Sequence, residues 1–193
     1  MTSPAPVLHL LAGPNGAGKT TFYETVLAPA TNLDFVNADR IAERRWGQGA
    51  IAHARDASAE AAGVRDRLIA SRTSFITETV FSHESKVALV HHAADAGYLV
   101  YLHVLLVPLD LAVARVTERV VDGGHDVPED KVRQRYARLW GYVAEAIQHA
   151  YEATVYDSSG GRFSPVARFR FSATTQAPNW PAFTPQELRA AAG

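Results

Sequence analysis

The sequence predicts an α/β fold in which a largely parallel β-sheet is flanked by helices. Short apolar or β-branched runs alternate with longer segments of helical periodicity. The first apolar run ends in a glycine-rich turn that leads into a helical segment, as in a strand–loop–helix unit. The length of 193 residues, with 47% apolar and 20% charged residues, suits a single domain spanning residues 1–193.

The strand predictions rest on short runs of apolar, β-branched or aromatic residues. These runs are residues 7–12, 34–37, 73–79, 98–107, 154–156 and 167–171. The first and fourth runs are mostly apolar, which is typical of strands buried on both faces of a parallel sheet. The last two runs are expected to pair with each other.

Helices are predicted between these strands, where apolar residues recur at helical spacing. They are residues 19–27, 51–70, 82–96, 109–121 and 128–151, with a short helix after Pro185. Pro29 is expected to stop the first helix, because proline lacks a backbone N–H. Ser82 is the candidate N-cap of the third helix, and Gly97 lies where a helix-ending glycine belongs. Pro128 and the two acids after it suit the first turn of the fifth helix.

The composition excludes several classes of protein. A formal net charge of -1, from 19 Lys+Arg and 20 Asp+Glu, lacks the basic excess of a general nucleic-acid binder. The absence of cysteine excludes disulfides, thiolate nucleophiles and cysteine zinc sites. The N-terminal residues do not resemble a signal peptide, and the first apolar run is too short to span a membrane. We therefore expect a cytoplasmic protein that does not bind membranes and is not a general nucleic-acid binder.

Residues 13–20 match the phosphate-binding loop pattern G-x-x-x-x-G-K-[ST] completely. Glycines let the backbone N–H groups point at phosphate oxygens, and the following helix adds its positive end. Lys19 is expected to reach the β- and γ-phosphates, and Thr20 to offer its hydroxyl to Mg²⁺. The sequence therefore predicts ATP and Mg²⁺ as cofactors. The expected nucleotide-binding residues are Gly13, Pro14, Asn15, Gly16, Ala17, Gly18, Lys19, Thr20 and Thr21.

Two missing motifs favour phosphoryl transfer over hydrolysis. Many P-loop ATPases carry an Asp-Glu pair after an apolar strand, but the most apolar run here ends in Val107-Pro108-Leu109-Asp110. The Asn-Lys-x-Asp motif with which GTPases recognise their base is also absent. We therefore expect an ATP-dependent phosphotransferase that moves the γ-phosphate to a bound small molecule.

Two acids are predicted at the carboxyl ends of strands, where ligands bind in parallel sheets. Asp39 follows the second strand, and it is the candidate general base that takes the proton of the acceptor hydroxyl. Glu78 ends the third strand and could hold Mg²⁺ through water or bind the acceptor. The alternatives are a helix N-cap for Asp39 and an exposed strand-end acid for Glu78.

Basic residues cluster on two predicted helices that flank a glycine break, and this pattern is typical of a lid at about residues 115–138. Arg115 and Arg119 precede the break at 122–125, whereas Lys131, Arg133, Arg135 and Arg138 follow it. Arg119 and Arg135 are the candidate catalytic pair, because arginines stabilise charge on a transferring phosphoryl group. The alternative is a solvated basic helix face.

Two further features of this part of the chain carry weaker expectations. His125 in the break is expected to make loop hydrogen bonds rather than to bind metal, because no partner ligands stand at metal spacing. The segment 157–160 could lie under an adenine or form an ordinary turn.

Together these residues resemble the zeta toxin family of P-loop kinases, over about residues 7–159. The resemblance rests on the phosphate loop, on Asn37-Ala38-Asp39-Arg40, on the strand ending in Glu78, and on the arginines around residues 123–128 with Arg135-Tyr136. It implies a P-loop NTPase fold like that of nucleotide kinases, with a helical lid. It also implies that Lys19 and Thr20 bind ATP–Mg²⁺, that Asp39 is the base, and that Arg119 and Arg135 clamp the γ-phosphate.

The resemblance also implies an acceptor. The best-known members phosphorylate the 3′-hydroxyl of UDP-N-acetylglucosamine, so a sugar nucleotide is expected near Asp39, Glu78 and Thr79. The family strand often continues Glu-Gly-Thr, whereas here it continues Glu78-Thr79-Val80. Only six residues precede the first strand, so an antitoxin is expected as a separate protein rather than as a fused segment. Kinases for another nucleotide, a dinucleotide or a polynucleotide end remain alternatives, as does a non-catalytic ATP-binding switch.

Overall fold

The structure, a computed structural model, describes residues 4–121 and 127–192. Within these residues seven strands form one sheet. They are β1 (Val7–Ala12), β2 (Asp34–Val36), β3 (Phe75–Thr79), β4 (Leu99–Leu106), β5 (Glu152–Asp157), β6 (Ser164–Arg170) and β7 (Ala173–Gln176). The spatial order is β2-β3-β1-β4-β5-β6-β7. The first five strands in this order pair in parallel and the last two pair antiparallel, which confirms the predicted α/β fold and the final strand pair.

Helices connect the strands and cover both faces of the sheet. They are α1 (Lys19–Phe22), α2 (Ala28–Thr31), α3 (Ala38–Trp46), α4 (Ala54–Ala70), α5 (Ser85–Asp95), α6 (Leu109–Val121), α7 (Glu129–Ile147) and α8 (Gln186–Ala190). The short helix after Pro185 and the helix-ending Gly97, whose φ is +79°, were both predicted correctly. None of the described helices combines the length and the apolar character that crossing a membrane requires.

The prediction that Pro29 stops the first helix was wrong. A π-helical turn at Tyr23–Leu27 follows α1, and Pro29 lies in the first turn of α2. A proline fits there because the first turn of a helix does not need its N–H. The helical segment therefore continues to Thr31 and ends at Asn32, which has a left-handed conformation.

Several boundaries also differ from the predictions. The helix expected from Ser82 begins at Ser85 instead, with Glu84 as its N-cap residue, and His83 Nδ1 accepts the Ser85 N–H at 3.1 Å. The helix expected to run to residue 151 ends at Ile147, and β5 starts at Glu152. The helix α3 and the exposed edge strand β7 were not predicted, since both are short and polar.

The core lies in two layers because successive strand residues point to opposite faces of the sheet. One layer joins Leu8, Leu10 and Leu102 to apolar residues of α4, α5 and α7. The other joins Leu11 and Leu105 to residues of α1 and α6, including Phe22 and Ala112. The two layers anchor the helices that begin at the carboxyl edge of the sheet.

Two histidines pair side by side on the face of the sheet that α1 covers. His9 Nδ1 lies 3.0 Å from His103 Nε2, and the two rings stack with centroids 5.3 Å apart. The other ring nitrogen of His103 has no hydrogen-bond partner and no contact with water. Burial lowers the pKa of His103 to about 3, and the neighbouring His9 adds to that shift. Both imidazoles are therefore neutral in the folded protein at neutral pH.

We expect this pair to make the protein sensitive to acid. Between pH 6.5 and 3 the unfolded chain protonates residue 103 and the folded chain does not, so the free energy of unfolding falls as the pH drops. From pH 7.5 to 5 this effect amounts to about 2 kcal/mol. His103→Phe should remove most of it, as measured by urea denaturation at both pH values. His149→Gln, at an exposed histidine, is the control, and an unchanged pH dependence in His103→Phe would contradict the expectation.

Candidate active site

The strand register brings three chain segments to one edge of the sheet. In the β1–β3 pair, Leu11 lies beside Glu78, one residue before the end of each strand. In the β2–β3 pair, Val36 lies beside Thr77, whose hydroxyl donates to the Val36 carbonyl at 2.7 Å. The phosphate loop, the start of α3 and Glu78 therefore emerge next to one another.

The phosphate loop depends on its glycines. Gly16 and Gly18 have φ of +77° and +84°, in the left-handed region that favours glycine. A Cβ at Gly16 would lie 2.4 Å from the carbonyl oxygen of Ala112 on α6. The loop thus packs directly against the backbone of the helix that carries Arg115 and Arg119. Phe22 N–H then donates to the Gly18 carbonyl at 2.8 Å, in the first turn after the loop.

Lys19 lies at the centre of the candidate site. Its side chain folds back over the loop, and Nζ donates to the carbonyls of Gly13 at 3.1 Å and Pro14 at 2.9 Å. Only 9% of the residue is exposed. Burial lowers the pKa of Lys19, Glu78 and Asp39 oppose that shift, and Arg119 and Arg135 add to it. All four of these predicted site residues therefore act electrostatically on one ammonium group.

Glu78 is joined to the phosphate loop by a hydrogen bond. Thr20 Oγ1 donates to Glu78 Oε2 at 3.3 Å. Burial raises the pKa of the Glu78 carboxyl, Lys19 opposes this shift, and the carboxylate of Asp39 adds to it. This arrangement differs from the alternative of an isolated, exposed acid at a strand end. Thr79, the next residue, is half-buried, and its hydroxyl accepts the Phe81 N–H at 3.2 Å.

Asp39 lies in the first turn of α3 and is exposed. The interpretation of Asp39 as the helix cap was wrong, because Asn37 has that role: its Oδ1 accepts the Arg40 N–H at 2.9 Å. Asparagine is a preferred N-cap residue, so the sequence did contain this signal. Asp39 is thereby left without a capping role, and its carboxylate acts on Lys19 and Glu78.

The two arginines of the predicted lid reach the site from different helices. Arg135, on α7, is half-buried, and its Nη1 donates to Asn15 Oδ1 in the phosphate loop at 3.4 Å. Arg119, near the end of α6, is exposed and acts on the Lys19 ammonium. The glycine break at 122–125, with His125, lies outside the described residues, so the expectations for that segment remain predictions.

Arg115 has a role that sequence reasoning missed. It donates from Nη1 to the carbonyl of Gly16 at 3.3 Å, and from Nη2 to those of Ser158 and Ser159 at 3.1 Å. Arg115 thus ties the phosphate loop to the turn after β5, in which Asp157 accepts the Ser159 N–H at 2.8 Å. Sequence spacing grouped Arg115 with Arg119 but could not tell which carbonyls it meets.

The other basic residues of α7 are exposed. Arg133 is held by Glu129 at 2.8 Å and by Asp110 at 3.3 Å, all on exposed side chains. Lys131 and Arg138 are exposed as well. For these three residues the structure favours the solvated helix face that sequence analysis left open.

The residues of the loop fit a nucleotide triphosphate with its magnesium ion. The glycine-rich backbone, the buried ammonium of Lys19 and the hydroxyl of Thr20 form the set of groups that phosphate oxygens and Mg²⁺ require. Thr21, the next residue of α1, is exposed beside them. The loop, the three strand ends and the two arginines thus form one polar site that can hold a triphosphate next to two carboxylates.

Comparison with known protein families identifies a family to which the sequence matches. A family described as AAA domain matches residues 8–140, more than half of the chain. A curated relative, an uncharacterized protein of Haemophilus influenzae, is 29% identical over 125 residues, which are 64% of this chain and 88% of the relative.

Solved structures share the fold at low sequence identity. The PezAT toxin–antitoxin system of Streptococcus pneumoniae matches with a TM-score of 0.65 and 13% identity, covering 99% of this chain and 86% of that one. AvrRxo1-ORF1:-ORF2 with ATP matches with a TM-score of 0.68 and 16% identity. The match covers 93% of this chain and 66% of that one. A gluconokinase from Sinorhizobium meliloti matches with a TM-score of 0.51 and 18% identity, covering 81% of this chain and 85% of that one. The chain therefore has the fold of P-loop kinases.

Proposed function

The chain belongs to the AAA domain family, and we propose that it is an ATP-dependent kinase of zeta-toxin type. It transfers the γ-phosphate of ATP to a hydroxyl of a small molecule, for which a sugar nucleotide such as UDP-N-acetylglucosamine is the first candidate. One observation carries this proposal: Glu78 accepts from Thr20 at 3.3 Å and Arg135 donates to Asn15 at 3.4 Å, so a carboxylate and an arginine both meet the loop that holds Lys19. A phosphoryl acceptor needs a base, and the moving phosphoryl group needs cations, so this cluster holds both.

The phosphate loop is the proposed ATP site. Lys19 would hold the β- and γ-phosphates, and Thr20 and Glu78 would hold Mg²⁺. When bound, the ion would supply positive charge to the phosphate oxygens. The Lys19 ammonium now bonded to Gly13 and Pro14 would exchange these carbonyls for phosphate oxygens. The remaining loop residues, from Gly13 to Thr21, supply backbone donors and the turn that orients them.

In the proposed transfer step, Asp39 and Glu78 have different roles. The acceptor hydroxyl oxygen forms a bond to the γ-phosphorus, while the bond from that phosphorus to the bridging oxygen of ADP breaks. ADP leaves with the electron pair, and the hydroxyl proton passes to Asp39. Arg119 and Arg135 stabilise the charge on the moving phosphoryl group. Glu78 and Thr79 bind the acceptor.

The toxin neighbour extends the proposal to a partner. PezAT is a toxin–antitoxin system, and an antitoxin acting in trans is therefore a candidate protein partner of this chain. We further propose that the chain works in the cytoplasm as one domain, with residues 115–138 closing over the phosphates as a lid. The strand continues Glu78-Thr79-Val80 where the zeta toxin family often has Glu-Gly-Thr. Another nucleotide, a dinucleotide or a polynucleotide end is therefore an alternative acceptor.

An ADP-release assay tests this function. ATP, Mg²⁺ and the protein are combined with a panel of sugar nucleotides, nucleotides, dinucleotides and oligonucleotide ends. We expect ADP release to depend on one class of acceptor, with UDP-N-acetylglucosamine tested first. ATP binding without turnover on any acceptor would favour the non-catalytic switch.

The lid arginines give a second test. Arg119→Ala and Arg135→Ala should each lower kcat by roughly 10²-fold with little change in ATP affinity, because they act on charge that develops in the transition state. Arg133→Ala is the matched control, since Arg133 lies on α7 but pairs with Glu129 and Asp110. Steady-state kinetics with the identified acceptor measures the effect. Wild-type kcat in both variants would assign the two arginines to the solvated helix face.

A further inference from the structure

A cationic pocket lies between α4 and α5, apart from the proposed phosphate-transfer site. Its volume is about 290 Å³, and its lining includes Arg65 and Asp66 on α4 and Ser85, Lys86 and His92 on α5. None of these residues belongs to the cluster around Lys19. Asp66 is the one carboxylate among the described lining residues, so cationic groups predominate in the pocket.

Arg65 is the unusual member of this pocket. Only 8% of the residue is exposed, although arginine is almost never fully buried unless it is paired. In the described part of the chain it makes no hydrogen bond and no ion pair, and the exposed Asp66 is the carboxylate that acts on it. None of its side-chain nitrogens is a fully buried atom without a partner, so the guanidinium keeps access to solvent at the pocket. Its N–H donors have no acceptor on the described protein and are available to an anion.

Lys86 brings a second cation to the pocket. It is half-buried on the opposite wall of the pocket, at the second residue of α5. Burial lowers the pKa of Lys86, and the positive charge of Arg65 lowers it further. Two cations thus face each other across a cavity that is large enough for a small anion.

We propose that this pocket is a binding site for a phosphate group of a small molecule. The planar fork of Arg65 matches the oxygens of a phosphate, and Lys86 supplies a second charge from the other wall. Ser85 adds a hydroxyl at the rim. The phosphate group would satisfy the N–H donors of Arg65 and separate the two cations. It could belong to the phosphoryl acceptor itself or to a separate effector, and the chemistry of recognition is the same for both.

Inorganic phosphate is the probe for the first test. The ¹⁵N-labelled protein, saturated with ADP and Mg²⁺ so that the phosphate loop is filled, is titrated with phosphate by NMR. We expect saturable shifts of the amides at residues 62–66 and 85–92. Lys86→Gln should weaken this affinity about tenfold or more, since it removes one charge-assisted contact. This test does not depend on the proposed kinase activity.

One control and one further variant complete the test. Arg67→Gln removes an exposed cation two residues from Arg65 and should leave the affinity unchanged. Arg65→Gln is the direct variant, but Arg65 is buried, so Lys86→Gln, at a half-buried position, carries the test if Arg65→Gln does not fold. Shifts confined to residues 13–20, or equal affinities in wild type and Lys86→Gln, would overturn the proposal.

A second test identifies the source of the phosphate group, and it rests on the proposed function. Inorganic phosphate is added to the kinase assay with the identified acceptor. A rise in acceptor KM at constant kcat, absent from Lys86→Gln, would show that the pocket takes a phosphate group of the acceptor. A change in kcat at saturating acceptor, also absent from Lys86→Gln, would show a separate effector.

Discussion

Replacing Lys19 with alanine should reduce phosphoryl transfer about 10³-fold or more, while the fold remains intact. Both carboxylates, Asp39 and Glu78, and both lid arginines act electrostatically on the Lys19 ammonium. The alanine variant removes this positive charge, which is proposed to hold the β- and γ-phosphates. Stability should change little, because the unfavourable burial of the ammonium offsets its attraction to Glu78 and Asp39. The measurements are kcat for acceptor phosphorylation and the melting temperature.

Lys19→Met is the matched control for packing. It keeps most of the side-chain stem in a site where only 9% of the residue is exposed, but it carries no charge. Equal losses of activity in the alanine and methionine variants would assign the effect to the ammonium. A well-folded Lys19→Ala protein that turns over at the wild-type rate would remove Lys19 from the mechanism.

Replacing Asp39 with asparagine should lower kcat about 10²-fold or more, because an amide cannot take the proton of the acceptor hydroxyl. ATP affinity should persist, since the phosphate loop is untouched. The melting temperature should also persist, because Asn37 rather than Asp39 caps α3. The measurements are acceptor phosphorylation, ATP affinity and thermal unfolding on the same variant. If the protein is a toxin, Asp39→Asn should also be harmless when expressed in a sensitive cell.

Asn37 supplies the control for a merely structural role. Asn37→Ala should cost about 1 kcal/mol of stability through the lost cap, whereas Asn37→Ser should restore most of it. A variant that loses stability but keeps kcat would separate the cap from the base. Full phosphorylation by Asp39→Asn would instead exclude Asp39 as the base and leave Glu78 as the next candidate.

Most of the fold was predictable because its signals are local. The apolar runs that became β1, β3 and β4 and the glycine-rich loop after β1 are legible in a single sequence. The failures involve interactions that sequence spacing does not reveal. Pro29 was expected to end a helix, but a preceding π-helical turn places it where its missing N–H does no harm. The β7 strand is short and fully exposed, so no apolar pattern marks it.

The candidate site was predictable in outline and not in its connections. The loop motif and the strand-end acids identified the residues, and parallel strands bring such residues to one edge of the sheet. Sequence analysis could not show that Arg115 binds three carbonyls of two loops, or that Arg135 meets Asn15. It also missed Arg65 and Lys86, because a cation on a helix is normally a solvated side chain and only tertiary packing buries it.

The fate of the γ-phosphate tests the central claim most directly. The protein is incubated with Mg²⁺ and ATP labelled in the γ-phosphate, with and without the acceptor found by the ADP-release assay, and the products are separated. We predict that the label appears in the acceptor, that its appearance requires the acceptor hydroxyl, and that Lys19→Ala abolishes it. Label recovered only as inorganic phosphate at the same rate with and without acceptor would contradict the account, because the protein would then be an ATPase.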